Sequence, residues 1–157
     1  MKARQLPLRH QVGQLLIFGF DGVEPTPALD TMLRSIQPAG TILFARNIEG
    51  PQQTYALNGH AQQALRVPPF LCVDLEGGTV DRLRNIIAHA PDVASVAATK
   101  ERRLAQRHRR TVGEEVRALG FNTDVAPRLV PDPDSARRVA PDRTSSPPQR
   151  ERAARAP

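Results

Sequence analysis

The sequence FLCVDLEGGTVDRLR, at residues 70–84, largely determines how this chain is expected to fold. Its mainly apolar first half predicts a buried strand, and the glycine pair that follows predicts a turn. Asp74 and Glu76 then lie at the carboxyl end of the strand, which is where parallel α/β folds bind ligands. A carboxylate and a guanidinium such as Arg82 can bind hydroxyl groups together, because one accepts hydrogen bonds and the other donates them. The simpler alternative is a strand-to-helix turn with a surface ion pair.

Outward from this segment, apolar runs predict further strands, and amphipathic runs predict the helices between them. The predicted strands cover residues 15–20, 41–45, 70–74 and 121–126, and the predicted helices begin at Pro27, Gln52 and Glu101. Alternation of strand and helix predicts parallel βαβ units and therefore the α/β fold class. Periodicity alone does not distinguish a (β/α)8 barrel from a doubly wound sheet.

Composition restricts the class of protein. The chain has 157 residues, which suffices for one domain but is short for a barrel of about 250 residues. A single cysteine, Cys72, cannot form an internal disulfide, and no signal-peptide pattern follows the basic start, so we expect a cytoplasmic protein. The longest apolar run is too short to cross a bilayer, so no membrane partner is expected.

An arginine-rich helix, predicted over residues 101–119, suggests nucleic-acid binding as one alternative. Its arginines, however, fall opposite the apolar stripe, and no aromatic side chains that could stack on bases lie nearby. We therefore expect a solvent-exposed outer face and no nucleic-acid partner. His108 falls on the apolar side, where a packed helix histidine is the expected interpretation.

Four segments in order resemble the β-N-acetylhexosaminidase type of glycoside hydrolase family 3. They are QVGQLLIFGFDG (11–22), AGTILFARNI (39–48), VDLEGGTVDRLR (73–84) and VGEEVRALGFNTDVAP (112–127). The third is similar to the family signature D-x-E-G-G-x-V-x-R. The resemblance covers about residues 10–127 and implies a partial (β/α)8 TIM barrel comprising about the first four βα units.

The resemblance also implies roles for individual residues. Asp74 matches the family aspartate that binds sugar hydroxyls, and Arg82 matches the arginine that helps hold the substrate. Arg143, in a DRTS sequence near the family's G-x-R-[ST]-F segment, is a third candidate substrate-binding residue. The family's catalytic histidine loop (K-H-F-P-G-H-G) and its aspartate nucleophile have no match here, so no catalytic residue is assigned. No metal and no organic cofactor is implied.

The last segment differs in composition from the rest. Residues 1–127 are predicted to form the barrel part, and residues 128–157, rich in proline and arginine, to form a disordered tail. A shifted reading frame is our hypothesis for this composition. Two functions remain open: removal of terminal β-linked N-acetylhexosamine, for example from peptidoglycan fragments, or an inactive truncated fragment. Such a fragment could bind sugar weakly or require a complementing polypeptide.

Overall fold

A computed structural model of the chain describes residues 5–126. The elements, in chain order, are α1 (Leu8–Gly13), β1 (Ile17–Phe18), α2 (Pro27–Ile36), β2 (Gly40–Leu43), a 3-10 turn (Ala45–Asn47), α3 (Pro51–Ala64), β3 (Phe70–Val73), β4 (Leu75–Gly77), β5 (Val80–Asp81), α4 (Val93–Ala98), α5 (Arg102–Ala118) and β6 (Thr123–Asp124). Within residues 5–126, no helix combines the length and the apolar character needed to span a bilayer.

Four strands form one parallel sheet in the order β1-β2-β3-β6. Leu43 pairs with Val73, and Val73 pairs in turn with Asp124, so the carboxyl ends of the last three strands meet at one edge. Helices lie between the successive strands. The α/β class and the order of the four parallel strands are therefore confirmed.

The first long helix, α2, begins where the sequence predicts. Thr26 is its N-cap, accepting the Leu29 N–H through Oγ1 at 3.1 Å, and Pro27 occupies the first turn, where its missing N–H costs nothing. Gln37 ends the helix in the left-handed region, at φ 52°. Its side chain donates to the Ala64 carbonyl and so joins the ends of α2 and α3.

The core lies between the helices and one face of the sheet. Its helix residues are buried leucines, alanines and valines, and its sheet residues are Leu43, Leu71 and Val73. Because successive strand residues point to opposite faces, Ile42 and Cys72 point away from these helices. The same alternation, continued one residue past β2 and β3, places Phe44 and Asp74 on the same face of the sheet as Ile42 and Cys72.

One sequence prediction needs correction, and several elements were not predicted. Residues 15–20 were expected to form a buried strand, but only Ile17 and Phe18 are paired, and Leu15 is 83% exposed. The reason is that β1 is an edge strand of the sheet within the described residues, with one side unpaired. Residues 75–98, where the sequence predicted only a turn at the glycine pair, contain the antiparallel β4–β5 hairpin and α4. Helix α1 was not predicted, because its sequence LRHQVG carries no clear apolar stripe.

Candidate functional site at the carboxyl edge of the sheet

Asp74 follows the last residue of β3 and stands at the carboxyl edge of the sheet. Arg82, directly after β5, points its guanidinium towards it, with 3.5 Å between Nη2 and Asp74 Oδ2. The two side chains are 28% and 33% exposed, respectively, so each is largely shielded but still reaches solvent. The structure therefore brings together the two residues that the DxEGG segment suggested.

The Arg82 guanidinium has unused hydrogen-bonding capacity. Its Nε is buried and has no hydrogen-bond partner among residues 5–126. A buried donor without a partner is costly, so such groups commonly mark a place for water or a ligand. The Arg82 guanidinium beside the Asp74 carboxylate therefore forms a donor–acceptor pair suited to hydroxyl groups.

Phe44 forms the neighbouring wall of the site. It follows β2, and the β2–β3 register continued by one residue places it beside Asp74 on the same face. The guanidinium carbon of Arg82 lies 6.0 Å from its ring centroid, and that of Arg46 lies 4.9 Å away. The Arg46 guanidinium is close enough to be attracted to the ring face, whereas that of Arg82 lies at the outer limit of such attraction.

Arg46 and Asn47, which end the second strand segment, have different roles. Arg46 bonds to Asp21 at 2.9 Å, in a pair exposed enough that it contributes little to stability. Asn47 is fully buried and donates through Nδ2 to the carbonyls of Phe20 and Gly22. Its Oδ1 accepts the Phe44 N–H at 3.0 Å, so this one amide joins the loops after β1 and β2.

Arg84, the second arginine of the segment, is structural. Its guanidinium donates to the backbone carbonyls of Gly78, Thr79 and Asp81, which braces the β4–β5 hairpin. The glycine pair has φ values of +74° and +59°, as the sharp turn requires. In the structure their close neighbours are Pro91 and Asp92.

Asp124, the last residue of β6, is fixed by hydrogen bonds from the backbone. Its Oδ1 accepts the backbone N–H groups of Leu75 and Ala126, each at 3.1 Å. Burial raises the pKa of the Asp124 carboxyl, with smaller contributions from the Asp74 and Glu76 charges, while the two N–H groups act in the opposite direction. This aspartate therefore supports the turn into the hairpin.

The other residues singled out by sequence do not join this cluster. Arg143 lies outside the described residues. His108 is half-buried on α5 and donates through Nε2–H to the Pro91 carbonyl at 2.9 Å, as expected of a packed helix histidine. The arginines of the outer face of α5 are exposed, as predicted, namely Arg103, Arg107, Arg110 and Arg117.

Sequence reasoning missed Phe44 as part of the site, and it missed the contact of Asp81 with His89. The position of Phe44 could have been inferred from its place directly after an apolar strand. The Asp81–His89 pair joins residues eight apart across an irregular loop, and no periodic pattern indicates such a contact.

The structure places an acidic and a basic side chain at the carboxyl edge of a parallel α/β sheet, the edge at which such folds bind ligands. The sequence profile described as "Glycosyl hydrolase family 3 N terminal domain" matches residues 7–140. The chain therefore belongs to glycoside hydrolase family 3.

Individual relatives support the same assignment. A β-hexosaminidase of Stenotrophomonas maltophilia (strain K279a) is 34% identical over 119 residues, covering 72% of this chain and 36% of the relative. The structure of a family 3 β-N-acetylglucosaminidase from Paenibacillus sp. str. FPU-7 superimposes with a TM-score of 0.73 at 34% identity, covering 78% of this chain and 24% of that one. A β-N-acetylhexosaminidase from Beutenbergia cavernae DSM 12333 gives a TM-score of 0.66 at 26% identity, covering 78% and 38%. The chain thus spans about a third of the length of the curated relatives it matches.

Proposed function

We propose that this chain forms the N-terminal part of a β-N-acetylhexosaminidase barrel, about the first four βα units, and that it binds a terminal N-acetylhexosamine. The fold likeness to the Paenibacillus β-N-acetylglucosaminidase supports the barrel assignment. The observation that carries the binding proposal is the pairing of Asp74 with Arg82, whose buried Nε has no partner among residues 5–126.

The chemistry of the pair suits a sugar. The Asp74 carboxylate can accept hydrogen bonds from two hydroxyls, and the Arg82 guanidinium can donate to a third oxygen. The Phe44 ring lies beside the guanidinium, with 6.0 Å between the guanidinium carbon and the ring centroid. Arg143 stays a proposed third ligand.

Bond cleavage requires more than this pair. Retaining hydrolysis uses a nucleophile and a proton donor on the two sides of the glycosidic bond. No residue of this chain is assigned to either role, and ground-state binding alone does not accelerate a reaction. We therefore propose that Asp74 and Arg82 hold the sugar while other groups, such as those of a complementing polypeptide, supply the chemistry. Peptidoglycan fragments are the proposed source of the substrate. The alternative, an inactive fragment, predicts binding at most.

The test is titration of the ¹⁵N-labelled chain with N-acetylglucosamine, followed by backbone amide shifts of residues 73–84. We expect Asp74→Ala and Arg82→Ala each to weaken binding by about tenfold or more, because charge-assisted hydrogen bonds contribute about 1.5–3 kcal/mol. Arg103→Ala, on the exposed face of α5, is the matched control and should bind like the unmodified chain. Equal binding by all three variants would contradict the proposal.

A second assay addresses hydrolysis. An aryl N-acetyl-β-glucosaminide should release no chromophore above background when it is incubated with the purified chain. Turnover that disappears in Asp74→Ala would contradict this expectation and would place a catalytic pair within the 157 residues. Turnover that survives in that variant would indicate a contaminating enzyme, which a second purification should remove.

A further inference from the structure

The β4–β5 hairpin presents different chemistry on its two faces. Arg82 directs its guanidinium towards Asp74 at the carboxyl edge of the sheet. Asp81 is the preceding residue, and successive residues of an extended chain point to opposite sides. We propose that Asp81 and His89 act as positioning residues that fix the hairpin from its reverse side and so hold Arg82 in its sugar-binding orientation. This inference rests on the proposed function of Arg82.

The Asp81 carboxylate is the centre of the reverse side. Its side chain is only 3% exposed, and both oxygens are used. Oδ1 accepts the Leu83 backbone N–H at 2.9 Å, which fixes the turn on the far side of Arg82. Oδ2 accepts the His89 Nδ1–H at 2.7 Å. A buried carboxylate is costly unless it is fully hydrogen-bonded, so this one is expected to hold its partners firmly.

His89 belongs to a loop, residues 88–92, that packs against the hairpin turn. The Gly78 N–H donates to the Ala90 carbonyl at 3.1 Å. A Cβ placed on Gly77 would lie 2.4 Å from the Pro91 oxygen, which shows how closely the two backbones approach. From the other side, His108 on α5 donates to that same oxygen. The loop is therefore held between α5 and the hairpin.

Arg82 itself has few contacts that could fix it. Its closest polar contact, to Asp74, is 3.5 Å long, and its Nε has no partner among residues 5–126. The contact with the Phe44 ring, at 6.0 Å, is at the outer limit of useful attraction. The direction of the guanidinium consequently depends on the backbone on either side of it. Both neighbouring residues, Asp81 and Leu83, are joined by the Asp81 carboxylate.

A positioning role for Asp81 predicts a result that a loss of stability alone would not produce. Asp81→Ala removes both hydrogen bonds of the carboxylate and frees the backbone beside Arg82. Small displacements of a binding group have large effects, so we expect N-acetylglucosamine affinity to fall by about tenfold. In an ¹⁵N spectrum of arginine side chains, the single Nε–Hε signal of Arg82 should broaden or split.

Two further variants distinguish the effect of the Asp81 hydrogen bonds from the effect of the Asp81 charge. Asp81→Asn preserves the geometry, since its Oδ1 can accept from Leu83 and its Nδ2–H can donate to unprotonated His89. It should restore affinity to within about twofold and restore the single signal. His89→Ala removes the loop contact but keeps the Leu83 turn, so it should give an intermediate affinity even if Asp81→Ala fails to fold.

Asp92→Ala is the matched control for lost stability. Asp92, two residues after Ala90, caps α4 by accepting the Ser95 N–H. It makes no hydrogen bond with Asp81 or His89. It should destabilise the same loop region while leaving the Arg82 signal and sugar affinity unchanged. The proposal is overturned if Asp92→Ala matches Asp81→Ala, or if Asp81→Ala and His89→Ala leave the Arg82 signal unchanged. If the unmodified chain binds no sugar, the proposed function fails. The Arg82 signal still decides whether Asp81 and His89 fix the orientation of Arg82.

Discussion

Asp124 Oδ1 lies 3.1 Å from the backbone nitrogen of Leu75, so the last residue of β6 holds the first residue of the β4–β5 hairpin. The bond links the fourth parallel strand to the element that carries Arg82. Its acceptor is a half-buried carboxylate, and this burial raises the pKa of Asp124.

The raised pKa of Asp124 predicts how the stability of the fold changes with pH. A carboxyl whose pKa is higher in the folded state stabilises the fold below its unfolded pKa and loses that contribution as pH rises through the folded pKa. At neutral pH the ionised Asp124 therefore opposes folding. Asp124→Asn keeps a carbonyl oxygen for both N–H groups and removes the charge, so it should unfold at higher denaturant than wild type at pH 7. The difference should disappear near about pH 3, where the aspartate is also neutral.

Asp30→Asn is the control of opposite sign. The hydrogen bond from Arg34 lowers the pKa of Asp30, so its ionised form contributes stability above the unfolded pKa and loses it as pH falls. That variant should be less stable than wild type at pH 7. If both substitutions shifted the denaturation midpoint in the same direction, the charge argument for Asp124 would be wrong.

The buried amide of Asn47 should be difficult to replace. Asn47→Ala leaves the carbonyls of Phe20 and Gly22 and the N–H of Phe44 without their partner. Unpaired buried groups cost about 1–3 kcal/mol each, so we expect the free energy of unfolding to fall by about 3 kcal/mol. Urea denaturation measures this. Asn85→Ala, at an exposed position, should change it by less than about 0.5 kcal/mol. Similar losses in both variants would show that Asn47 does not join the two loops.

Two glycine-to-alanine substitutions should act in opposite directions. At Gly77, φ is +74° and a Cβ would meet the Pro91 oxygen at 2.4 Å, so the substitution should cost about 2 kcal/mol or more. At Gly113, within α5, a Cβ meets nothing within 4 Å, and alanine should stabilise by about 0.5–1 kcal/mol. Thermal unfolding of both variants provides the comparison. A stable Gly77→Ala variant would mean that loop 88–92 does not press against the turn.

Much of the fold could be predicted because its signals are local. Thr26 and Pro27 mark the start of α2 by themselves, and the apolar runs of β2 and β3 lie between breaking residues. Helix α4 had a local signal that was missed, since Asp92 precedes an apolar segment and caps the helix by accepting the Ser95 N–H. The site was partly predictable because Asp74 and Arg82 are eight residues apart in a recognisable segment.

The rest depends on tertiary contacts that no local pattern contains. Whether an apolar residue such as Leu15 is buried depends on which strand lies beside it, and β1 has a partner on one side only within residues 5–126. Asp81 resembles any surface aspartate in the sequence. Only the fold shows that it is buried and bonded to His89.

Cys72 is the only cysteine of the chain and lies two residues before Asp74 with no exposed surface. Burial raises its pKa, which keeps the thiol protonated and slow to react while β3 is covered. Any reaction with a thiol reagent in native buffer therefore requires the sheet to open beside the site. The labelling rate of the unmodified protein would report how often that opening occurs, and a bound sugar should slow it without any engineered probe.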